Sequence, residues 1–162
     1  NTMATITKLG IPDPSNQLGA SPYGNLTAFR YVLKTIASGA VEGGDSTTAV
    51  ASGDTVKIGL LPAGFRLIDS EIIVKTGLTA TITAKAGFAY ADGVDSTAVP
   101  QDDDFFGTGI TVATAGRYRN ATSNASVTLP KEAWLTLTTA VAANAKASEL
   151  EIIVFAINEG VA

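Results

Sequence analysis

The sequence contains neither cysteine nor histidine among its 162 residues. Without cysteine the chain forms no disulfide and offers no thiolate for catalysis or metal binding. Histidine is the side chain most often used as a general base near neutral pH, and it is the commonest transition-metal ligand. These two absences exclude Ser-His-Asp, Cys-His, HExxH and zinc-hydrolase chemistry. We therefore expect no enzyme, no cofactor and no metal site.

Charged residues are also scarce, at 16 %, and the 11 basic residues are outnumbered by 15 acidic ones, for a net charge of −4. The basic footprint of nucleic-acid binding is missing, so we expect neither DNA nor RNA as a partner. The longest apolar run, residues 152–157, is far shorter than the roughly 20 residues of a membrane helix. No basic-then-apolar leader opens the chain. We expect a soluble protein without membrane association, stabilised by packing and assembly.

The first 28 residues are interrupted so often by proline and glycine that no helical or strand period survives. They nevertheless carry isolated large apolar side chains such as Leu9, Ile11, Leu18 and Tyr23. A terminus meant only to be solvated would rarely carry so many, although a frayed terminus is the alternative. We predict that residues 1–28 form an extended N-terminal arm that docks on a neighbouring subunit or on its own sheet. The four apolar residues are its candidate contacts.

From Phe29 onward, short runs of alternating apolar and polar residues are separated by clusters of glycine, aspartate, proline and serine. This pattern is typical of an all-β domain. We predict that residues 29–162 form one β-sandwich of about eight strands, of the jelly-roll kind. The predicted strands lie at 29–36, 55–61, 66–75, 80–90, 127–129, 134–139 and 150–157.

The segment Pro62-Ala63-Gly64 suits a tight turn, because proline presets φ and glycine tolerates positive φ. We therefore predict that the strands on either side of this turn pair with each other. Their inward-facing apolar residues are expected to be Val56, Ile58 and Leu60 before the turn and Ile68, Ile72 and Val74 after it.

The last strand is apolar on both faces, which predicts a strand that is central in its sheet or covered by a partner. The alanine-rich segment 139–147 precedes it. Alanine favours helix, but the segment is too short for a substantial one. We predict a loop with at most one or two helical turns.

Five carboxylates lie within 13 positions: Asp92, Asp95, Asp102, Asp103 and Asp104. Such density suggests Ca²⁺, but the spacing does not match an EF-hand loop. We predict a solvated acidic loop without metal. The alternative is neutralisation by basic residues of a neighbouring subunit, which would make the loop a salt-sensitive interface element.

A small basic and aromatic patch, Arg117, Tyr118 and Arg119, is a further candidate for docking against an acidic partner surface. A solvated loop is the alternative. The single tryptophan, Trp134, follows Pro130-Lys131-Glu132 at a predicted strand start. We assign it to core or rim packing rather than to a ligand platform.

The order of these segments resembles small structural proteins encoded among the head genes of tailed bacteriophages. The matching pieces are a strand entered at Gly53-Asp54, the turn 61–64, the strand 65–74, a Thr/Ala strand ending at Gly87-Phe88, Asp102–Phe106, Ala115-Gly116 and 131–137. Within that group the chain is most similar to jelly-roll head decoration, or cement, proteins. The resemblance covers roughly residues 53 to 157 and leaves the arm out.

The resemblance implies a virion protein made in the bacterial host cytoplasm and bound to the outer surface of the capsid. Its partners would be the major capsid protein of the same virion and further copies of itself, as a homotrimer. It would strengthen the shell against internal pressure. The alternatives are a tail or fibre component and a carbohydrate-binding β-sandwich module.

Overall fold

The computed structural model describes residues 26–160, which form nine β-strands. They are β1 (Leu26–Thr35), β2 (Thr55–Leu61), β3 (Phe65–Thr76), β4 (Thr83–Tyr90), β5 (Asp102–Ile110), β6 (Gly116–Arg119), β7 (Val127–Thr128), β8 (Ala133–Ala140) and β9 (Ser148–Asn158). There is no helix in this range, hence none long and apolar enough to span a membrane.

The strands form two antiparallel sheets. The five-stranded sheet has the order β1-β9-β3-β6, with β7 also paired to β3. The four-stranded sheet has the order β2-β8-β4-β5. This arrangement confirms the predicted all-β, jelly-roll-like sandwich. The strand β9 lies between β1 and β3, so its prediction as a central strand is also confirmed.

The hydrophobic core lies between the two sheets. It is built from the side chains at alternate positions of each strand, which face inward. In β4 the predicted alternation holds without a break, and Ala84, Ala86, Phe88 and Tyr90 are all buried. The strand β9 contributes Leu150, Ile152, Val154 and Ala156 from the opposite sheet. The alanine-rich segment ahead of β9 is a loop, as predicted.

The predicted pairing across the turn 62–64 is wrong. The strand β2 pairs with β8, whereas β3 pairs with β9, β6 and β7, so the turn carries the chain from one sheet to the other. Pro62 and Gly64 are equally suited to both connections. The turn chemistry therefore could not distinguish a hairpin from a crossing between sheets.

Two β-bulges overturn the predicted facing of Leu60 and Ile68. A register shift between Lys57 and Gly59 makes Leu61 the buried residue and leaves Leu60 37 % exposed. A second shift, between Leu67 and Asp69, buries Leu67 and leaves Ile68 41 % exposed. An extra residue in one strand moves all later side chains to the other face, which simple alternation cannot anticipate.

The sequence pattern does not predict β5, because its residues form an acidic stretch followed by glycines. This strand forms the edge of the four-stranded sheet and pairs irregularly with β4. Close approach at Gly87 makes this pairing possible. A Cβ atom there would lie 2.1 Å from the backbone oxygen of Asp102, so only glycine fits.

Candidate protein-binding face

The outer face of the five-stranded sheet combines apolar and charged side chains in separate areas. Cross-strand register places Leu26 of β1 opposite Ile157 of β9, and Ala28 opposite Phe155. On the other side of β9, Asp69 of β3 lies opposite Phe155. One corner of the face, where β1 begins, is therefore apolar on β1 and β9 and is bordered by Arg66 and Asp69 of β3.

We call this corner the apolar patch, and it consists of six outward-facing residues on three strands: Leu26, Ala28, Ile68, Ile153, Phe155 and Ile157. Leu26 is 61 % exposed and Ile68 41 % exposed, whereas the three residues of β9 are half-buried. Contiguous exposed apolar surface bordered by charge is typical of a protein-binding surface. The sequence showed the apolar outer side of β9, but not which strands flank it.

Among the described residues, Arg66 pairs with Glu159 next to the apolar patch, and four further ion pairs join neighbouring strands of this face. Arg30 binds Glu151 through two hydrogen bonds, of 2.5 Å from Nε and 2.9 Å from Nη2. Lys75 Nζ lies 2.8 Å from Glu149 Oε1, and Arg117 Nη1 lies 2.9 Å from Glu71 Oε1. Arg119 pairs with Asp69. Each of the four carboxylates on this face thus has a basic partner from a neighbouring strand.

The pKa values of Glu149, Glu151 and Arg30 are shifted in the direction that favours their charged forms. The hydrogen bond from Arg30 holds the pKa of Glu151 below its ordinary value, and the hydrogen bond from Lys75 does the same for Glu149. The pKa of Arg30 is raised in turn by the hydrogen bond to Glu151. These pairs are not evident from the sequence, because cross-strand partners depend on the register of the whole sheet.

The candidate patch Arg117, Tyr118 and Arg119 lies on β6, at the edge of the same sheet, and is a strand rather than a solvated loop. Because side chains alternate between the two faces of a strand, the three residues do not point the same way. Arg117 and Arg119 point outward with side chains 65 % and 66 % exposed, while half-buried Tyr118 packs against the core. The two guanidinium groups are therefore exposed at the rim of the outer face, each paired with a carboxylate of β3, and the tyrosine ring faces the core.

The other candidate contacts, Leu9, Ile11, Leu18 and Tyr23, lie outside the described residues. The strand β1 begins at Leu26, three positions before the predicted start of the sandwich. Residues 1–25 consequently join the described part of the chain at the apolar patch.

The acidic stretch is not a single loop, since Asp102, Asp103 and Asp104 open β5. Much of its charge is compensated within the chain. Lys131 Nζ lies 2.7 Å from Asp92 Oδ2, Lys85 pairs with Asp103, and Asp95 accepts hydrogen bonds from two backbone amides.

Asp102, Asp103 and Asp104 present carboxylate oxygens within 4.8 Å of one another. A hydrogen bond with Asp102 is the main cause of the raised pKa of Asp104, and repulsion from Asp102 and Asp103 adds to it. Exposed acidic clusters are common without an ion, so this geometry does not by itself make a metal site.

The outer face of the four-stranded sheet presents Trp134, which is half-buried beside Leu60. The ammonium of Lys57 lies 5.6 Å from the centre of the indole ring. Among the described residues, the other aromatic rings are mostly paired with each other in the interior, as in Phe88 with Phe105 and Phe29 with Phe65. This face therefore has one aromatic platform and not a row of them.

No protein-family model matches the sequence, and no curated protein matches it. Two solved structures contain chains of similar fold. One is the capsid of Ralstonia phage GP4, with a TM-score of 0.59 and 19 % identity over 86 % of this chain and 87 % of that chain. The other is the capsid asymmetric unit of cyanophage Pam1, with a TM-score of 0.59 and 15 % identity over 93 % of this chain and 99 % of that chain. At such identities the similarity establishes a shared fold.

Proposed function

We propose that this protein is a non-enzymatic structural component of a phage virion, which binds the outer surface of the capsid and stabilises it as a decoration or cement protein. The observation that carries the proposal is the shared fold, which extends over 86 % and 93 % of this chain in the two phage capsid structures. The lack of histidine and cysteine supports a role that needs no catalytic side chains.

The proposed partners are the major capsid protein of the same virion and two further copies of this chain. A homotrimer would place three identical outer faces around one rotation axis, and each copy would offer the same contacts to the shell. The exposed side chains of Arg117 and Arg119, at the rim of the outer face, are the described residues that we propose for such a contact. The arm adds affinity for the shell through its own apolar residues.

A tail or fibre component is the second candidate, because such proteins are also non-enzymatic parts of the virion. A carbohydrate-binding module is less well supported. Such modules need several aromatic rings along a groove, whereas most rings in the described part of this chain are packed in the interior.

The test is binding to shells assembled from the major capsid protein alone. Purified protein is mixed with these shells, sedimented, and imaged by cryo-electron microscopy, and a heat-unfolded sample serves as the control. We expect density outside the shell at three-fold or local three-fold positions, and a particle that resists heating better than the bare shell. Binding to tails alone would favour the second candidate, and absence of shell binding would overturn the proposal.

The oligomeric state is measured separately by light scattering on the free protein. A trimer has three times the mass of the 16.5 kDa chain. A monodisperse monomer at micromolar concentration would contradict the homotrimer, while leaving shell binding to be judged by the first experiment.

A further inference from the structure

We propose that residues 16–25 of the arm fold back across the apolar patch of their own chain. Leu18 and Tyr23 are the side chains that pack there. This inference goes beyond the proposed function, because it assigns an occupant to a surface of the free protein and does not require a capsid.

The arm joins the sandwich at the apolar patch. Leu26 is the first residue of β1 and belongs to the patch, directly opposite Ile157. The segment that precedes Leu26 therefore starts at the edge of the apolar surface. Pro22 and Gly24, just before this point, are the residue types that allow a chain to reverse direction.

The absence of charge in residues 16–25 suits them to the apolar patch. Residues 16–25 contain no charged side chain. The charged groups that border the patch already have partners, since Glu151 binds Arg30 and Asp69 binds Arg119. A neutral segment can cover this surface without leaving a carboxylate or a guanidinium unpaired and desolvated. A strongly charged partner would gain nothing at the patch itself.

The segment is long enough for Leu18 and Tyr23 to reach the apolar patch. The patch extends from Ile153 to Ile157 along β9, which is about 13 Å at the rise of a β-strand. Tyr23 precedes Leu26 by three residues and Leu18 precedes it by eight, so an extended chain brings them up to about 10 Å and 27 Å from Leu26. The patch therefore lies within reach of both side chains.

Attachment to the same chain also favours this docking over docking on a second copy. A short flexible link gives the segment an effective concentration near the patch in the millimolar range. Leu9 and Ile11 lie 17 and 15 residues before Leu26 and can reach about 50 Å or more, well beyond the patch. They remain available for contact with the shell.

The first test compares three forms of the protein: the full chain, a form lacking residues 1–15, and a form lacking residues 1–25. We expect the first two to melt at the same temperature and to bind little of a hydrophobic dye. The third should melt about 5 °C lower and bind the dye strongly, because it lacks Leu18 and Tyr23. Equal melting temperatures and dye binding for all three would overturn the proposal.

The second test locates the segment. Because the natural chain has no cysteine, a nitroxide label can be attached at a single position through Ala20→Cys, with Ala4→Cys as the matched control. We expect the label at position 20 to broaden the amide signals of Ile153 and Phe155, but not those of Thr136 and Thr138 on the opposite sheet. The label at position 4 should broaden neither pair.

A further sample shows whether the arm that covers the patch belongs to the same chain or to a second copy. It is a mixture of isotope-labelled chains and separately spin-labelled chains, refolded together. Broadening in the mixture would show that the arm docks on a second copy, and would overturn docking on the same chain. No broadening in either sample would overturn docking altogether. None of these measurements uses shells, so their outcome is independent of whether the proposed capsid binding succeeds or fails.

Discussion

The side-chain amide of Asn144 donates a 3.0 Å hydrogen bond to the hydroxyl of Thr35, 109 positions earlier in the chain. Asn144 is only 1 % exposed, although it lies in the loop between β8 and β9. Its carbonyl oxygen accepts from the backbone nitrogen of Thr79 at 3.0 Å, and its own backbone nitrogen donates to Val50 at 2.8 Å. A single buried amide thus joins four segments at one end of the sandwich.

Replacement of Asn144 by alanine should destabilise the protein by about 3 kcal/mol, because it leaves several buried partners without a hydrogen bond. The measurement is urea denaturation, with an unchanged dependence on denaturant showing that the folded state is the same. Asn158→Ala is the matched control. Its exposed side chain accepts one local hydrogen bond, so we expect a change within about 0.5 kcal/mol. Equal losses for both variants would contradict the bridging role.

Gly87→Ala should cost at least about 2–3 kcal/mol, because the new methyl group would overlap the backbone of Asp102 and Asp103 and push β5 from the sheet. Gly107→Ala is the control. Its methyl group would meet only the flexible end of Ile110, at 3.2 Å, so the cost should stay within about 1 kcal/mol. Denaturation measures both, and hydrogen exchange of the β5 amides shows whether that strand detaches. A Gly87→Ala protein with normal stability would refute the close approach.

Val141 adopts φ = 80° and is 67 % exposed. A β-branched residue is strained in this conformation, and its exposed side chain has little packing to lose. We therefore expect Val141→Gly to stabilise the fold by about 0.5–1 kcal/mol. Val94 is similarly exposed but has no positive φ, so Val94→Gly should instead destabilise slightly. Thermal denaturation of both variants provides the check, and a loss of stability in Val141→Gly would count against the strain.

Acidification should weaken the five-stranded sheet. The folded-state pKa values of Glu149 and Glu151 lie below the ordinary 4.5, so their contribution to stability is present above pH 4.5 and is lost as the pH falls through the lowered values. We expect the melting temperature to fall with pH in this range, and Glu151→Gln to make the fall shallower. Glu42→Gln, at an exposed residue with no ion pair in the described range, should leave the slope unchanged. If Glu151→Gln left the dependence of the melting temperature on pH unchanged, the proposed contribution of Glu151 to acid sensitivity would be contradicted.

The sequence predicted the parts of the fold that depend on local alternation. The strand β4 and the doubly apolar β9 were located correctly, because their side chains keep a strict period of two. Leu60 and Ile68 were assigned to the wrong face because bulges interrupt that period, and β5 was missed because aspartate and glycine are unfavourable in strands.

The binding face could be predicted only in outline. The apolar outer side of β9 was visible in the sequence, but its neighbours were not, since cross-strand register is a property of the whole sheet. Nothing in the sequence around Asn144 indicates that its side chain is buried. A buried asparagine in a loop has the same local sequence as a solvated one, and its role depends on segments more than 60 positions away.

The central place of β9 in the five-stranded sheet has a consequence for the order of events during synthesis. The strands β1 and β3 do not pair with each other and are held together by β9, which lies some 70 to 120 positions later in the sequence. A nascent chain that has not yet released residues 148–158 from the ribosome therefore cannot close this sheet or bury its half of the core. Folding must wait until that segment has emerged, and the long loops that have to close make it slow. Until then β1 lacks its partner strand β9, so chaperone binding is expected to matter most in this interval.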